Sequence, residues 1–259
     1  MDDYERCAAY DISVVDGWIK YLNKYTSQSS DIRDKEVLEL GPGADLGIGL
    51  YLLSKGVKKY NAIDVNGLAA DTPIQFYEHL LKKLGQKQLS ADLKCLKQLL
   101  SDFNRLNYVC RQDFSLTSSF LENSIDIIFS QAALEHFDDI ENTIKQLSIV
   151  SKPGAILTAL IDLKTHSRWI RDKDPNNIYR YSPAFYRLFR FRGIPNRLRP
   201  YHYEDIFIKY GWGNIQIFPI DTLSEDEYKK MRPFLFRDFY DDKNQMQYLS
   251  IILCATNQK

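Results

Sequence analysis

Apolar positions along the chain follow two alternating patterns. Between residues 11 and 25, Val14, Val15, Trp18, Ile19, Leu22 and Tyr25 recur at helical spacing, which predicts an amphipathic N-terminal helix. Short continuous apolar runs follow: EVLELG (36–41), KYNAID (59–64), NYVCRQD (107–113), IDIIFS (125–130) and AILTALID (155–162) read as buried strands. Between them, IGLYLLSKG (48–56) predicts a helix stopped by Gly56, and DIENTIKQLSIVS (139–151) one closed by Lys152-Pro153-Gly154. Residues 66–106 exceed an ordinary crossover and hold two helical patterns, Phe76, Leu80, Leu81, Leu84 and then Leu93, Leu96, Leu99, Leu100, Phe103. Toward the end, YEDIFIKYGW (203–212) predicts a helix, and NIQIFPI (214–220) and YLSIILCAT (248–256) two strands joined without a helix.

Alternating strands and helices with apolar strands imply a parallel sheet covered on both faces. The expected architecture is one α/β domain over residues 1–259, with a mostly parallel seven-stranded sheet and an antiparallel edge. Around it lie an N-terminal helical segment (1–34), a helical insert (66–106) and a cap segment (164–202).

Composition changes this picture little. Hydrophobic residues make up 44% and charged residues 26% of 259, enough to build a core, and the net charge is zero. A neutral chain has no overall pull toward nucleic acid or anionic lipid. Cys7, Cys95, Cys110 and Cys254 form no C-x-x-C pair, so reduced thiols in the cytoplasm are expected. The start, MDDYERCAAYD, lacks the basic and apolar parts of a signal peptide, and no apolar run is long enough to span a bilayer. No H-E-x-x-H occurs either, and no metal is expected.

Candidate chemistry centres on VLELGPG. A strand that runs into Gly41-x-Gly43 lets backbone approach a ligand with no Cβ in the way. Asp64 closes the second strand 23 residues after Gly41, where an α/β nucleotide-binding fold carries the carboxylate that takes ribose hydroxyls. A dinucleotide site would share both features. Against it stand Glu39, a charge beside a would-be pyrophosphate, and the spacing to Gly47, which departs from G-x-G-x-x-G.

At these residues the chain resembles the class I S-adenosylmethionine-dependent methyltransferases, in their broad small-molecule, type-11-like branch. VLELGPG is similar to the family's first motif, NAID to its ribose-binding acid, RQDF to its adenine-contacting pair, DIIFSQAALEHFDD to its fourth strand and following loop, and SKPGAIL to the turn before strand five. These motifs cover about residues 36–162 in the family's order. The resemblance implies a Rossmann-like fold and S-adenosyl-L-methionine as cofactor. It implies that Glu39, Gly41 and Gly43 face the methionine part, Asp64 and Val65 the ribose, and Asp113 and Phe114 the adenine. Gln131 and Ala132 would line the site after strand four. Plainer roles stay open: Phe114 as core, Asp113 as a helix cap, Glu39 as the partner of a distant lysine.

Methyl transfer from a sulfonium is an in-line displacement, so holding the acceptor at the methyl carbon does much of the work. An oxygen acceptor also loses a proton, and a histidine is the usual base. His136 and His166 follow strands four and five, at the sheet edge where ligands bind, and either is a candidate catalytic residue. His79 reads as structural, and His202 is ambiguous.

Residues 164–200 carry a net charge of about +8 in a neutral chain, interleaved with Trp169, Tyr179, Tyr181, Phe185, Tyr186, Phe189 and Phe191. Two readings are open: a solvated arginine-rich surface, or an acceptor lid in which Arg197 and Arg199 bind an anionic or sugar-like molecule. The leading expectation is methylation of a small acceptor at oxygen. An RNA methyltransferase and a non-catalytic cofactor-binding relative are the alternatives. The chain lacks the Asp/Asn-Pro-Pro-aromatic and Pro-Cys motifs of nucleic-acid enzymes, so nucleic acid is the weaker partner. Acceptor and oligomeric state are not fixed.

Overall fold

The computed structural model describes residues 2–85, 104–189 and 191–259. The second helical pattern of the insert (Leu93 to Phe103) therefore lies outside the described residues. In chain order the main elements are α1 (Asp2–Thr26), β1 (Glu36–Leu40), α2 (Gly47–Ser54), β2 (Lys59–Asp64), α3 (Ile74–Lys83), β3 (Leu106–Cys110) and β4 (Ile125–Gln131). Then follow α4 (Ile140–Val150), β5 (Ser151–Asp162), α5 (Pro183–Leu188), α6 (Pro200–Lys209), β6 (Trp212–Thr222), α7 (Glu225–Met231) and β7 (Tyr248–Asn257).

The strands form one seven-stranded sheet in the order β3-β2-β1-β4-β5-β7-β6. The first five run parallel, and β7 runs antiparallel to both β5 and β6. The reversed strand is thus β7, one position in from the edge. Central β1 is buried from Val37 to Leu40, as a strand covered on both faces must be. Its partners β2 and β4 end level with it, which puts the ends of β1, β2 and β4 on one rim.

Each face has its own core. On one, α1, α2 and α3 bury Trp18, Leu22, Leu50, Leu53, Phe76 and Leu80 against the sheet. The indole of Trp18 stacks on Phe129 of β4 at 4.7 Å, and Tyr25 reaches Thr256 of β7 at 2.6 Å. Fully burying an apolar side chain of this size contributes roughly 1.5–3 kcal/mol, so the α1 stripe ties the N-terminal segment firmly to the domain. On the other face, α4 and α6 bury Ile144, Leu147, Tyr203 and Phe207. Asp139 starts α4 by accepting from the backbone N–H of Asn142 at 3.0 Å.

A third small core, with Ile178, Tyr179, Met231, Leu235, Phe239 and Met246, unites two stretches of chain. The β6–β7 connection is therefore not helix-free: it carries α7 and packs on the 164–200 segment, so the cap has two strands of chain. Met231, Leu235 and Phe239 recur at four-residue intervals, a signal too short to separate from a loop. Among the described residues no helix is long and apolar enough to cross a membrane.

Candidate active site

Residues from the ends of β1, β2 and β4 surround a cleft of about 550 Å³. Its floor is the β1 turn. Gly41 and Gly43 have φ of +70° and +75°, a region that disfavours side chains, and a Cβ on Gly41 would lie 2.8 Å from that of Ala133. On one side stands Asp64, 9% exposed, whose carboxylate accepts from the N–H groups of Gly43 at 3.1 Å and Asn66 at 3.0 Å. Backbone thus fixes the carboxylate at the strand end, with Val65 beside it.

The far wall holds Asp113 and Phe114. Phe114 is buried at φ +46° with its ring 4.7 Å from that of Phe137, so it is both core and cleft wall. Asp113 is exposed and paired with Arg111 at 2.7 Å, which with the Ser115 N–H holds its carboxyl down at about 2. Ala132, at φ +51°, turns the chain out of β4 and lines the cleft. Gln131 does not line the cleft; its side chain meets the hydroxyl of Tyr10 on α1.

Glu39 lies behind the glycine turn rather than on the cleft surface. It is 1% exposed; Tyr60 donates to Oε2 at 2.5 Å, while Oε1 has no partner. Burial pushes its carboxyl up to about 8, against the Tyr60 hydrogen bond and with added repulsion from Asp45 and Asp64. Two more acids crowd the same place. Asp45, in the turn, accepts from Gly47 N–H at 2.8 Å, and Asp11 projects from α1 with a buried, unpartnered Oδ2. Burial raises both; repulsion from Asp45 and Glu39 raises Asp11 further, whereas the Gly47 N–H and the contact with Asp11 pull Asp45 back down. The three acids have no basic side chain among their interacting partners.

At the opposite end the chain leaves β4 through a 3-10 turn, Leu134–His136. His136 lines the cleft and its Nδ1 lies 2.6 Å from the Gly193 carbonyl, so Nδ1 carries the hydrogen and Nε2 keeps its lone pair. Burial lowers its pKa, partly countered by that carbonyl. His166 stands behind it, rings 4.7 Å apart, and does not itself line the cleft. Its Nδ1 is buried without a partner, and its Nε2 faces Asp162 Oδ2 at 3.6 Å. Burial alone would raise the Asp162 carboxyl; hydrogen bonds from His166, Arg171 and the Lys164 N–H outweigh it and hold it at about 2. Glu135, 2% exposed, accepts from Asp162 N–H at 3.2 Å and leaves Oε2 unpartnered; burial pushes it up to about 8.

The cap reaches this end through residues 192–196. Arg192 bonds the Gln112 carbonyl across the cleft, and Asn196 is held by the Glu135 and Leu134 carbonyls at 2.7 and 3.0 Å. The two arginines expected to bind the acceptor lie elsewhere. Arg199 is fully buried and donates to the carbonyls of Asn244, Gln245 and Tyr248 and to the Tyr179 hydroxyl. That expectation is corrected: Arg199 is a clamp between the two halves of the cap and offers nothing to a ligand. Arg197 donates to the Tyr181 carbonyl at 2.7 Å and lies between the Tyr186 and Phe239 rings, away from the cofactor cleft. His79, as expected, is structural, tied to Glu5 of α1 at 2.8 Å, and His202 accepts from the Arg199 N–H at 3.0 Å.

Residues 38–159 match the family described as "Methyltransferase domain". Those residues form a class I S-adenosylmethionine-dependent methyltransferase domain. Its fold recurs in a candidate sarcosine dimethylglycine methyltransferase of Galdieria sulphuraria, with TM-score 0.55 and 14% identity over 95% of this chain and 86% of that one. It recurs in the complex between the Haloferax volcanii Trm112 methyltransferase activator and a candidate methyltransferase, with TM-score 0.53 and 12% identity over 100% and 99%. In the Haemonchus contortus phosphoethanolamine N-methyltransferase 2 bound to S-adenosyl-L-methionine, the values are 0.51 and 14% over 97% of this chain, which spans 53% of that one. At these identities the likeness concerns the fold. No curated protein matches the chain in sequence.

Several residues of interest escaped sequence reasoning. Asp11 had one signal, an acid on the apolar stripe of α1, seven residues before Trp18. His166 was already a candidate, but its pairing with Glu135, 31 residues earlier, arises only from the adjacency of β4 and β5. Arg192 was one of many arginines.

Proposed function

We propose that this methyltransferase methylates a small, hydroxyl-bearing acceptor at oxygen, in the cytoplasm, with His136 taking the hydroxyl proton. The observation that carries the reading is the anchoring of His136: Nδ1 bound to the Gly193 carbonyl, Nε2 free at the cleft wall. A depressed pKa keeps that imidazole neutral near pH 7, as a base must be.

In this reading the cofactor spans the cleft. Gly41 and Gly43 pass its methionine part, and Asp64 with Val65 takes the ribose. Asp113 and Phe114 bound the adenine, and Ala132 flanks the methyl group. Glu39, aided by Asp11 and Asp45, supplies the negative charge that its ammonium and sulfonium call for. The acceptor enters beneath residues 192–196, where Arg192 favours an anionic or sugar-like molecule. Methyl transfer breaks the S–CH₃ bond, forms O–CH₃, and leaves the proton on His136 Nε2.

The test is a screen of phosphorylated and hydroxyl-rich small molecules for formation of S-adenosylhomocysteine, followed by His136→Ala. Turnover should fall about a hundredfold or more with cofactor affinity unchanged. An unaltered rate and pH profile between about pH 6 and 9 would exclude the imidazole as base.

A further inference from the structure

We infer that Glu135, His136 and His166 form a binding site for one divalent transition-metal ion at the acceptor end of the cleft. One donor atom from each of the three lies within 4.8 Å of the others. Two imidazoles and a carboxylate are a donor set that borderline ions of the zinc, cobalt and manganese kind accept.

Proximity alone would not carry the inference; the surroundings of each ligand do. A metal-bound histidine presents one nitrogen to the ion and gives its other N–H to a carbonyl or carboxylate, which fixes tautomer and ring orientation. Both histidines have that second contact. His136 Nδ1 is on the Gly193 carbonyl at 2.6 Å, and His166 Nε2 faces the Asp162 carboxylate at 3.6 Å. Their remaining nitrogens are left over: His166 Nδ1 is buried and unpartnered, and among the described residues no hydrogen bond to His136 Nε2 is seen on the cleft wall. Glu135 repeats the arrangement, with Oε1 held by the Asp162 N–H and Oε2 buried and unpartnered. Leaving the two buried acceptors unmet is costly, and a cation would meet both together with His136 Nε2. Asp162, itself fixed by Arg171 and the Lys164 N–H, supports both Glu135 and His166.

Binding would draw the donors inward, since ligand atoms about 2.0–2.2 Å from one ion stand closer together than 4.8 Å. Three protein ligands leave a coordination position open, and His136 lines the cleft, so that position faces the acceptor. The role drawn for the ion rests on the oxygen-acceptor reading above: with His136 Nε2 occupied as a ligand, the ion would bind the hydroxyl oxygen and lower its pKa so that the proton leaves to solvent, whereas in the metal-free protein the imidazole takes it.

The test begins with binding, not turnover. The full chain, stripped with chelator, is titrated with Co²⁺ followed by visible absorption, and with Zn²⁺ against a chromophoric chelator. One equivalent should bind, with Co²⁺ lacking thiolate charge-transfer bands because Cys7 and Cys110 lie outside the set. His136→Ala and His166→Ala should each abolish the stoichiometric site. Asp162→Asn, which touches no ion, should weaken it about ten- to a hundredfold. Cys110→Ser should leave it unchanged. Affinity for S-adenosylhomocysteine, measured on each variant, reports whether the cleft is still folded. Absence of a stoichiometric site in the wild-type chain overturns the proposal outright, whatever the variants do. So does binding that survives the double histidine variant. Loss of turnover in His136→Ala by a chain that binds no metal would keep the imidazole base and remove the ion. Metal binding without any acceptor turnover would keep the site and remove the oxygen-methylation reading.

Discussion

Glu39→Gln should make the cofactor-free protein more stable near neutral pH while weakening its hold on S-adenosylmethionine. The carboxyl is 1% exposed, its Oε1 is unpartnered, and burial raises it from an ordinary 4.5 to about 8. A raised acid binds its proton more tightly folded than unfolded, so stability is full below the unfolded value, about 4.5. It falls as pH rises from there to about 8 and then levels off. At pH 7 the cost of keeping this group folded amounts to roughly 3 kcal/mol, at 1.36 kcal/mol per pH unit through the window. Glutamine keeps an oxygen for the Tyr60 hydroxyl and carries no charge to bury. Thermal unfolding followed by circular dichroism should show the variant's midpoint several degrees higher at pH 8, since 1 kcal/mol is worth about 2–4 °C in a chain of this size. At pH 4.5 the two proteins should nearly coincide. Asp11 and Asp45, also raised, leave some pH dependence in the variant.

Cofactor binding should move the other way. On the proposed reading, removing the carboxylate that ionises behind the glycine turn when the cation binds should cost about 1.5–3 kcal/mol, ten- to a hundredfold in affinity by titration calorimetry. Wild-type binding at pH 7 should release a proton as Glu39 ionises against the ammonium, seen as a dependence of binding heat on buffer ionisation enthalpy. A variant less stable than wild type at every pH from 5 to 9, with unchanged cofactor affinity, would refute the reasoning.

Three further substitutions separate cofactor, acceptor and scaffold. Asp64→Ala should weaken S-adenosylhomocysteine about ten- to a hundredfold by calorimetry, because a fixed, charge-assisted acceptor is lost. Arg192→Ala should raise the acceptor KM several-fold with cofactor affinity unchanged, since its guanidinium lines the cleft from the cap side. Arg199→Ala should act on folding instead. It leaves the carbonyls of Asn244, Gln245 and Tyr248 buried without donors, at about 1–3 kcal/mol each before relaxation, so a lowered unfolding midpoint is the readout.

The sequence was most readable where the backbone dictates residue type. Gly41 and Gly43 sit at φ of +70° and +75°, which disfavour side chains, a Cβ on Gly41 would also press on Ala133, and an acid at a strand end has few plain roles. Charge along the cap was less readable. Ten basic residues between 164 and 200 look alike as letters. Yet Arg199 is sealed under the cap by backbone carbonyls, Arg197 lies among aromatic rings, and Arg192 meets the cleft. Of the interleaved aromatics, Tyr179 and Tyr186 serve as the bed for the Arg197 and Arg199 guanidinium groups. Trp169, 89% exposed, keeps no such role. A guanidinium can be satisfied by carbonyls from any part of the chain, and local sequence says nothing of which carbonyls the fold will bring.

The same limit explains the two ends of the cleft, where the local rules of burial fail in opposite senses. Behind the glycine turn, Asp11, Glu39 and Asp45 gather acids from a helix, a strand and a turn with no basic partner among the described residues. At the acceptor end, Glu135, His136 and His166 gather lone pairs, each ligand's other polar atom already spoken for or facing a carboxylate. Unmet buried acceptors occur elsewhere too, Asn176 Oδ1 and Asn244 Oδ1 in the cap and Ser151 Oγ among them, but those are neutral amides and a hydroxyl rather than acids or imidazoles. A folded chain that leaves acceptors unmet at two places on one rim bears that cost where a ligand can repay it. Both deficits are of acceptors lacking positive charge or donors. A cationic cofactor answers the first. The second calls for a hydroxyl proton, or for a metal ion to which that hydroxyl can bind.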